Sequence, residues 1–139
     1  MLPNEAIAKE TGAWLRKVEV DLRGADLNLA ADPPVLENVV FHSQQAVEKV
    51  FKAFLTWHDL PFQKTHNLRE LGGQCEEVDP SLLLLKERAA PLTKYAWLYR
   101  YPGDEESPTL DEAQRALAIA REVVAAVRDR ISLPPESAV

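Results

Sequence analysis

The sequence predicts an all-α fold, an up-and-down bundle of about five helices around a four-helix core. Apolar residues recur at steps of three and four along most of the 139-residue chain, which is the spacing of one face of a helix. Only five glycines are present, and runs of the β-branched residues that favour strands are scarce. Prolines fall mainly between the periodic segments, where they separate helices.

The first two helices are predicted at about residues 4–29 and 35–58. The first should end before Pro33-Pro34, because the residue before a proline is pushed out of helical backbone angles. The second should end before Pro61 for the same reason. The apolar side of the first helix contains Ile7, Trp14, Leu15, Val18, Leu22, Ala25 and Leu29. The apolar arc of the second contains Val39, Val40, Ala46, Val47, Val50, Phe51, Ala53, Phe54 and Trp57, with Ser43 inside it.

Three further helices are predicted in the second half of the chain. A short third helix should begin at Thr65 as its N-cap and run through Cys75. A fourth should follow Asp79-Pro80 and reach Tyr99, with a kink at Pro91. The fifth has the clearest periodicity, since its apolar residues alternate steps of three and four: Leu110, Ala113, Leu117, Ala120, Val124, Val127 and Ile131.

Length, charge and cysteine content restrict the class of protein. A chain of this length favours one domain, so residues 1–132 are predicted to form a helical bundle and residues 133–139, with two prolines, a flexible tail. The net charge of −6 offers no basic stripe for duplex DNA. One cysteine, no metal-ligand spacing, no signal peptide and no membrane-length apolar segment predict a soluble cytoplasmic protein without a cofactor.

The stretch FHSQQAVEKVFKAFL, residues 41–55, places polar side chains beside the apolar arc of the second helix. Winding the helix at about 100° per residue puts a mixed set on a second face, namely Phe41, Gln44, Gln45, Glu48, Lys52 and Leu55. A polar face that carries large apolar side chains indicates a ligand or partner surface, and a solvated surface is the alternative interpretation. Glutamine suits such contacts because it both donates and accepts hydrogen bonds.

A second unusual cluster lies at the end of the predicted fourth helix. It contains Tyr95, Trp97, Tyr99, Arg100 and Tyr101. Tyrosine and arginine together can stack on a nucleotide and hold its phosphate. The same residue types also have structural uses, because a tyrosine can bury its ring at the edge of a core and an arginine complements the dipole at a helix C-terminus.

Three motifs in this order resemble the HEPN domain family of bacteria and archaea. They are FHSQQAVEKVFKAFL, then Lys64-Thr65-His66-Asn67-Leu68, then Leu92-Thr93-Lys94-Tyr95 with Arg100-Tyr101-Pro102. The resemblance extends from the first helix to the fifth and implies a small all-α bundle that pairs as a homodimer. Many stand-alone members of this family are encoded beside a minimal nucleotidyltransferase, and the resemblance implies such a partner in a toxin–antitoxin or nucleotide-handling module.

The resemblance also implies two surfaces. The first would bind a nucleotide, single-stranded RNA or the partner protein, and its candidate residues are His42, Gln44, Gln45, His66, Tyr99, Arg100 and Tyr101. The second would be the two-fold contact along the second helix, with candidate residues Phe41, Gln44, Glu48 and Leu55.

Some HEPN members are metal-independent ribonucleases, in which an arginine is followed after four to six residues by a histidine. Arg100 is followed at these positions by Glu105, Glu106 and Ser107, and no histidine of this chain has an arginine at the required distance before it. No catalytic residue is therefore assigned, and a non-catalytic homodimer that binds a nucleotide or partner is expected. The alternatives are a ribonuclease with a variant active site, built from His42 or His66 together with Arg100, and a purely structural dimerisation module.

Overall fold

The computed structural model describes residues 3–103 and 106–133, which form five α-helices and no strand. The helices are α1 (Pro3–Ala30), α2 (Leu36–Trp57), α3 (Leu68–Val78), α4 (Leu83–Ala89) and α5 (Leu110–Arg128). Turns of 3₁₀-helix flank α4 at Pro80–Leu82 and Ala90–Ala96. The predicted all-α bundle is confirmed. The predicted division into one domain and a flexible tail stays a prediction, and residues 134–139 lie outside the described residues.

Helix α2 is the centre of the bundle. Helices α1 and α5 pack along it, while α3 and the 3₁₀ turn after α4 cover its remaining sides. Its fully buried side chains include Val39, Val40, Val47, Val50, Phe51, Phe54 and Leu55. A helix enclosed in this way leaves little surface, so its polar side chains must find hydrogen-bond partners inside the fold.

The prolines separate the helices as predicted, with one difference around Pro91. Helix α1 ends at Ala30, before Pro33-Pro34, and α2 begins at Leu36. The single kinked fourth helix was a wrong prediction, because the helix is a short α4 that becomes a 3₁₀-helix from Ala90 onward. A proline cannot donate the α-helical hydrogen bond and its ring crowds the carbonyl four residues earlier, so the chain continues in the tighter form.

The N-cap of α3 is Asn67 rather than the predicted Thr65. The Asn67 side-chain oxygen accepts from the backbone N–H groups of Arg69 and Glu70, at 2.9 Å and 3.2 Å. The Thr65 hydroxyl instead accepts from the N–H of Asn67, at 3.0 Å. Both residue types can cap a helix, and the one directly before the first helical residue reaches the unsatisfied N–H groups. Thr65 thereby fixes the turn that leads into the helix.

Close packing explains one of the two adjacent glycines in α3. A Cβ atom at Gly72 would lie 2.7 Å from Cγ of Lys86 and 3.3 Å from the ring of Phe51, whereas a Cβ at Gly73 would meet nothing within 4 Å. Gly72 therefore lets α3 approach α2 and α4. Gly73 has no such packing role, and a glycine in a helix interior costs about 1 kcal/mol relative to alanine.

Candidate functional site

Residues 97–103, here called the arm, follow the 3₁₀ turn after α4 and are anchored to α5 through Glu112. The hydroxyl of Tyr95, just before the arm, donates to Oε2 of Glu112 at 2.5 Å, and the hydroxyl of Tyr99 donates to the same oxygen at 3.4 Å. Tyr99 has a backbone φ of 69°, in the left-handed region that costs a residue with a side chain about 1–2 kcal/mol. This turn redirects the chain and places Arg100 against α2.

The guanidinium of Arg100 lies on the ring of Phe41, with 3.6 Å between its Cζ atom and the ring centroid. This is a cation–π contact between an exposed arginine and a half-buried phenylalanine. Among residues 3–103 and 106–133, no carboxylate pairs with Arg100 and no acceptor takes a hydrogen bond from its side chain. The planar N–H donors of the guanidinium are therefore available to a ligand.

A buried carboxylate, Glu48, organises the polar residues of α2. Its side chain is only 4% exposed, yet both of its oxygens are bonded. Oε1 accepts from Nδ1 of His66 at 2.8 Å and from Nε2 of Gln44 at 3.1 Å, and Oε2 accepts from Nζ of Lys52 at 2.9 Å. These contacts make the burial of a charge tolerable, because the charge is paired and its lone pairs are satisfied.

The two glutamines extend this network toward the surface. Gln44 is fully buried, and its amide nitrogen donates to Glu48 and also to the backbone carbonyl of His66, at 3.1 Å in each case. The half-buried Gln45 donates from Nε2 to Oε1 of Gln44 at 2.7 Å. Gln45 lies four residues after Phe41 on α2, so the two side chains are neighbours on one helix face.

A second buried carboxylate, Asp21 of α1, fixes His42 and Lys49, which lie on the side of α2 that faces α1. Its side chain is 7% exposed, and its oxygens contact Nδ1 of His42 at 2.9 Å and Nζ of Lys49 at 2.7 Å. The ring of His42 lies so close to α1 that a Cβ at Gly24 would be 3.2 Å from it. His42 is thus held between two helices.

The residues predicted for the site divide into a buried and an accessible set. Gln44, Glu48 and Leu55 are buried within the protomer, so the expectation that they lie on an accessible second face of the helix was wrong. The segment leading into α3 folds back over this side of α2, and its His66 lies on Glu48. Exposed or half-buried positions are Phe41, His42, Gln45, His66, Tyr99, Arg100 and Tyr101. The homodimer itself stays a prediction.

Sequence reasoning missed Asp21 and Glu112, because each acts on partners in a distant part of the chain. A signal for Asp21 was present in the first helix. It lies three residues after Val18 and four before Ala25, inside the apolar stripe. An acidic residue in a stripe that faces the core needs a cationic or hydrogen-bonding partner there, and His42 and Lys49 supply it.

The HEPN domain model matches residues 11–130 of the chain. The protein belongs to the HEPN family. No curated protein and no solved structure matches the chain. The matched range includes both buried carboxylates, both glutamines and the arm, so the features described above lie within the HEPN domain, and the resemblance seen in the sequence is confirmed.

The described part of this HEPN domain offers hydrogen-bonding and cationic groups rather than a metal centre. No three His, Cys, Asp or Glu side chains of residues 3–103 and 106–133 are grouped so that they could hold a metal ion. Within the same residues, no helix is both long enough and apolar enough to cross a membrane. The accessible chemistry is therefore that of Arg100, the outer edge of Gln45 and the exposed side of the His66 ring.

The HEPN domain should lose stability in acid through Glu48. Burial by itself raises the pKa of this carboxyl, but hydrogen bonds from His66, Lys52 and Gln44 outweigh it, and the pKa lies below its ordinary value. A carboxyl whose pKa is lower in the folded state stabilises the fold above its unfolded pKa of about 4.3 and loses that contribution as the pH falls through the folded value.

This prediction is checked by urea unfolding of the parent protein and of Glu48→Gln between pH 7 and pH 3. The difference in unfolding free energy between the two should be largest at neutral pH and should shrink below about pH 4. Other carboxyl groups titrate in both proteins and cancel from the difference. A difference that stays constant down to pH 3 would contradict the assignment.

Proposed function

We propose that this HEPN-domain protein binds a nucleotide, or a nucleotide unit of single-stranded RNA, without cleaving it. The binding face consists of Phe41, Gln45, His66 and Arg100. The observation that carries the proposal is the guanidinium of Arg100, fixed on the ring of Phe41 and unpaired with any described carboxylate. An exposed cation held in place beside hydrogen-bonding groups suits a phosphate with a base attached.

The charges around the binding face support a ligand with one anionic group at Arg100. The ammonium group of Lys52 is neutralised by Glu48, and that of Lys49 by Asp21. Arg100 has no such partner among the described residues, so its charge is available to a phosphate. Tyr101, the next residue along the chain, is 70% exposed.

The substitution Arg100→Ala tests the proposal by calorimetric titration with AMP, GMP, CMP and UMP. Loss of a charge-assisted contact should weaken binding of the nucleotide that binds best by tenfold or more, since such a contact contributes about 1.5–3 kcal/mol. Arg115→Ala on α5, where the arginine pairs with Asp111 in an exposed i,i+4 bridge, is the matched control and should bind like the parent. Binding by none of the four nucleotides, or equal binding by Arg100→Ala, would refute the proposal.

Ribonuclease activity is a second candidate, favoured by the two histidines that contact buried carboxylates. His42 and His66 each use Nδ1 for this contact. Nε2 of the exposed His66 ring is left for proton transfer, whereas Nε2 of His42 faces Gly24 of α1. Incubation of the parent with single-stranded RNA in EDTA separates the two functions. The proposed binding function predicts intact RNA, and cleavage that disappears in His66→Asn would replace it with a catalytic one.

The proposal includes a homodimer that acts with a minimal nucleotidyltransferase. Family membership supports it, together with two exposed apolar side chains two helical turns apart on α1, Val20 and Leu27, which are 63% and 61% exposed. Light scattering at micromolar concentration tests the homodimer directly. A monomer at every concentration would leave the nucleotide-binding proposal in place and remove the dimer from it.

A further inference from the structure

We propose that Glu48 fixes the direction of every hydrogen bond in its network, so that the binding face selects bases with an exocyclic amino group over their oxo counterparts. The inference rests on the proposed nucleotide-binding function and names the class of base. Glu48 does not touch the ligand in this proposal. It acts through Gln44, Gln45 and His66 as a positioning residue.

The direction of the network follows from the chemistry of a carboxylate, which accepts hydrogen bonds and donates none. Nδ1 of His66 must therefore carry its proton toward Glu48, across 2.8 Å. Gln44 must turn its NH₂ group inward, where it also reaches the backbone carbonyl of His66. That orientation directs the Gln44 oxygen toward Gln45, so Gln45 has to donate to it.

The groups left on the outside are mainly acceptors. Oε1 of Gln45 has no partner among the described residues, and only one N–H of its amide is not directed at Gln44. Nε2 of His66 is an acceptor while the ring is neutral, because the proton is on Nδ1. The inward donors thus leave accepting atoms on the outer side of Gln45 and of His66, and a ligand needs N–H donors of its own to match them.

Adenine and cytosine carry such donors on an exocyclic amino group, and hypoxanthine and uracil carry an acceptor oxygen at the same position. AMP and IMP, and likewise CMP and UMP, are therefore matched pairs of probes. Calorimetry at pH 8 should give a dissociation constant on the order of tenfold lower for the amino member of the pair that binds better.

The substitution Glu48→Gln tests the role of the carboxylate. An amide at this position can donate as well as accept, so the network can reverse and Gln45 can turn its NH₂ group outward. The ratio of dissociation constants should fall toward one. Asp21→Asn is the control, because it also neutralises a buried carboxylate but has no contact with either glutamine, and it should retain the ratio.

Gln45→Leu keeps the proposal testable if Glu48→Gln does not fold. It should reduce AMP binding to the level of IMP, and the same substitution at the exposed Gln114 of α5 should not. If AMP and IMP bind equally to the parent while Arg100→Ala weakens both, the selection of amino groups is refuted and nucleotide binding stands. If no nucleotide binds, the proposed function fails and this inference fails with it.

Discussion

Replacement of Glu48 by leucine is expected to lower the unfolding free energy by about 3–5 kcal/mol, measured by urea denaturation at pH 7. Leucine has a similar volume, so the loss comes from the partners and not from a cavity. The ammonium group of Lys52, whose side chain is only 13% exposed, would lose its counter-ion. Gln44, which is fully buried, would lose an acceptor as well, and a buried donor without an acceptor is costly.

Two further variants isolate the cause of that loss. The double substitution Glu48→Leu with Lys52→Met removes both charges and should recover a large part of the lost stability, because a buried ion pair replaced by apolar groups is often close to neutral. Glu122→Leu applies the same change to an exposed bridge with Arg88 and should alter stability by less than about 1 kcal/mol. A double variant as unstable as the single one would show that the unpaired ammonium is not responsible.

Truncation of Leu55 to alanine is expected to lower the unfolding free energy by about 2–5 kcal/mol, since the removed atoms are fully buried and leave a cavity in the core. Leu55 was predicted to lie at the dimer contact, but it is buried in the core of the protomer, so the loss of stability should not depend on protein concentration. Chemical denaturation at micromolar and at tenfold higher protein concentration should give the same loss.

The matched control is Leu84→Ala, because Leu84 of α4 is 78% exposed and should change stability by only about 0.5 kcal/mol. A loss at Leu55 that appears only at high protein concentration would mean that the residue stabilises an assembly. It would then belong to a contact between protomers, as the sequence alone had suggested.

The sequence predicted those parts of the fold that depend on local spacing. Helix α5 was predicted from apolar positions between Leu110 and Ile131, and it is observed from Leu110 to Arg128. It was predictable because these apolar residues repeat without interruption. Thr109 caps its first turn by accepting from the N–H of Glu112. The break at Pro33-Pro34 follows from backbone sterics, which are also local. The extent of α4 was less predictable, because α-helical and 3₁₀ turns around Pro91 have similar apolar patterns.

The candidate site was only partly predictable, because its organisation depends on contacts between distant segments. Periodicity sorted Glu48 and Gln44 onto a polar face of the second helix. It could not show that the segment carrying His66 would fold over them and bury both. The contact between Arg100 and Phe41 depends on the left-handed turn at Tyr99, a conformation for which a tyrosine gives no sequence signal.

The two hydrogen bonds that Tyr95 and Tyr99 donate to Glu112 have a consequence for a chain cleaved by a protease. Tyr101, Pro102 and Gly103, near the start of the connection to α5, are exposed positions of the kind at which proteases cleave. After a cut there, α5 would still be bound to the bundle by its buried side chains, and Glu112 would still hold Tyr95 and Tyr99. The covalent connection is thus only one of several interactions that hold α5 to the rest of the bundle. Two fragments in a non-covalent complex would therefore keep Arg100 on Phe41.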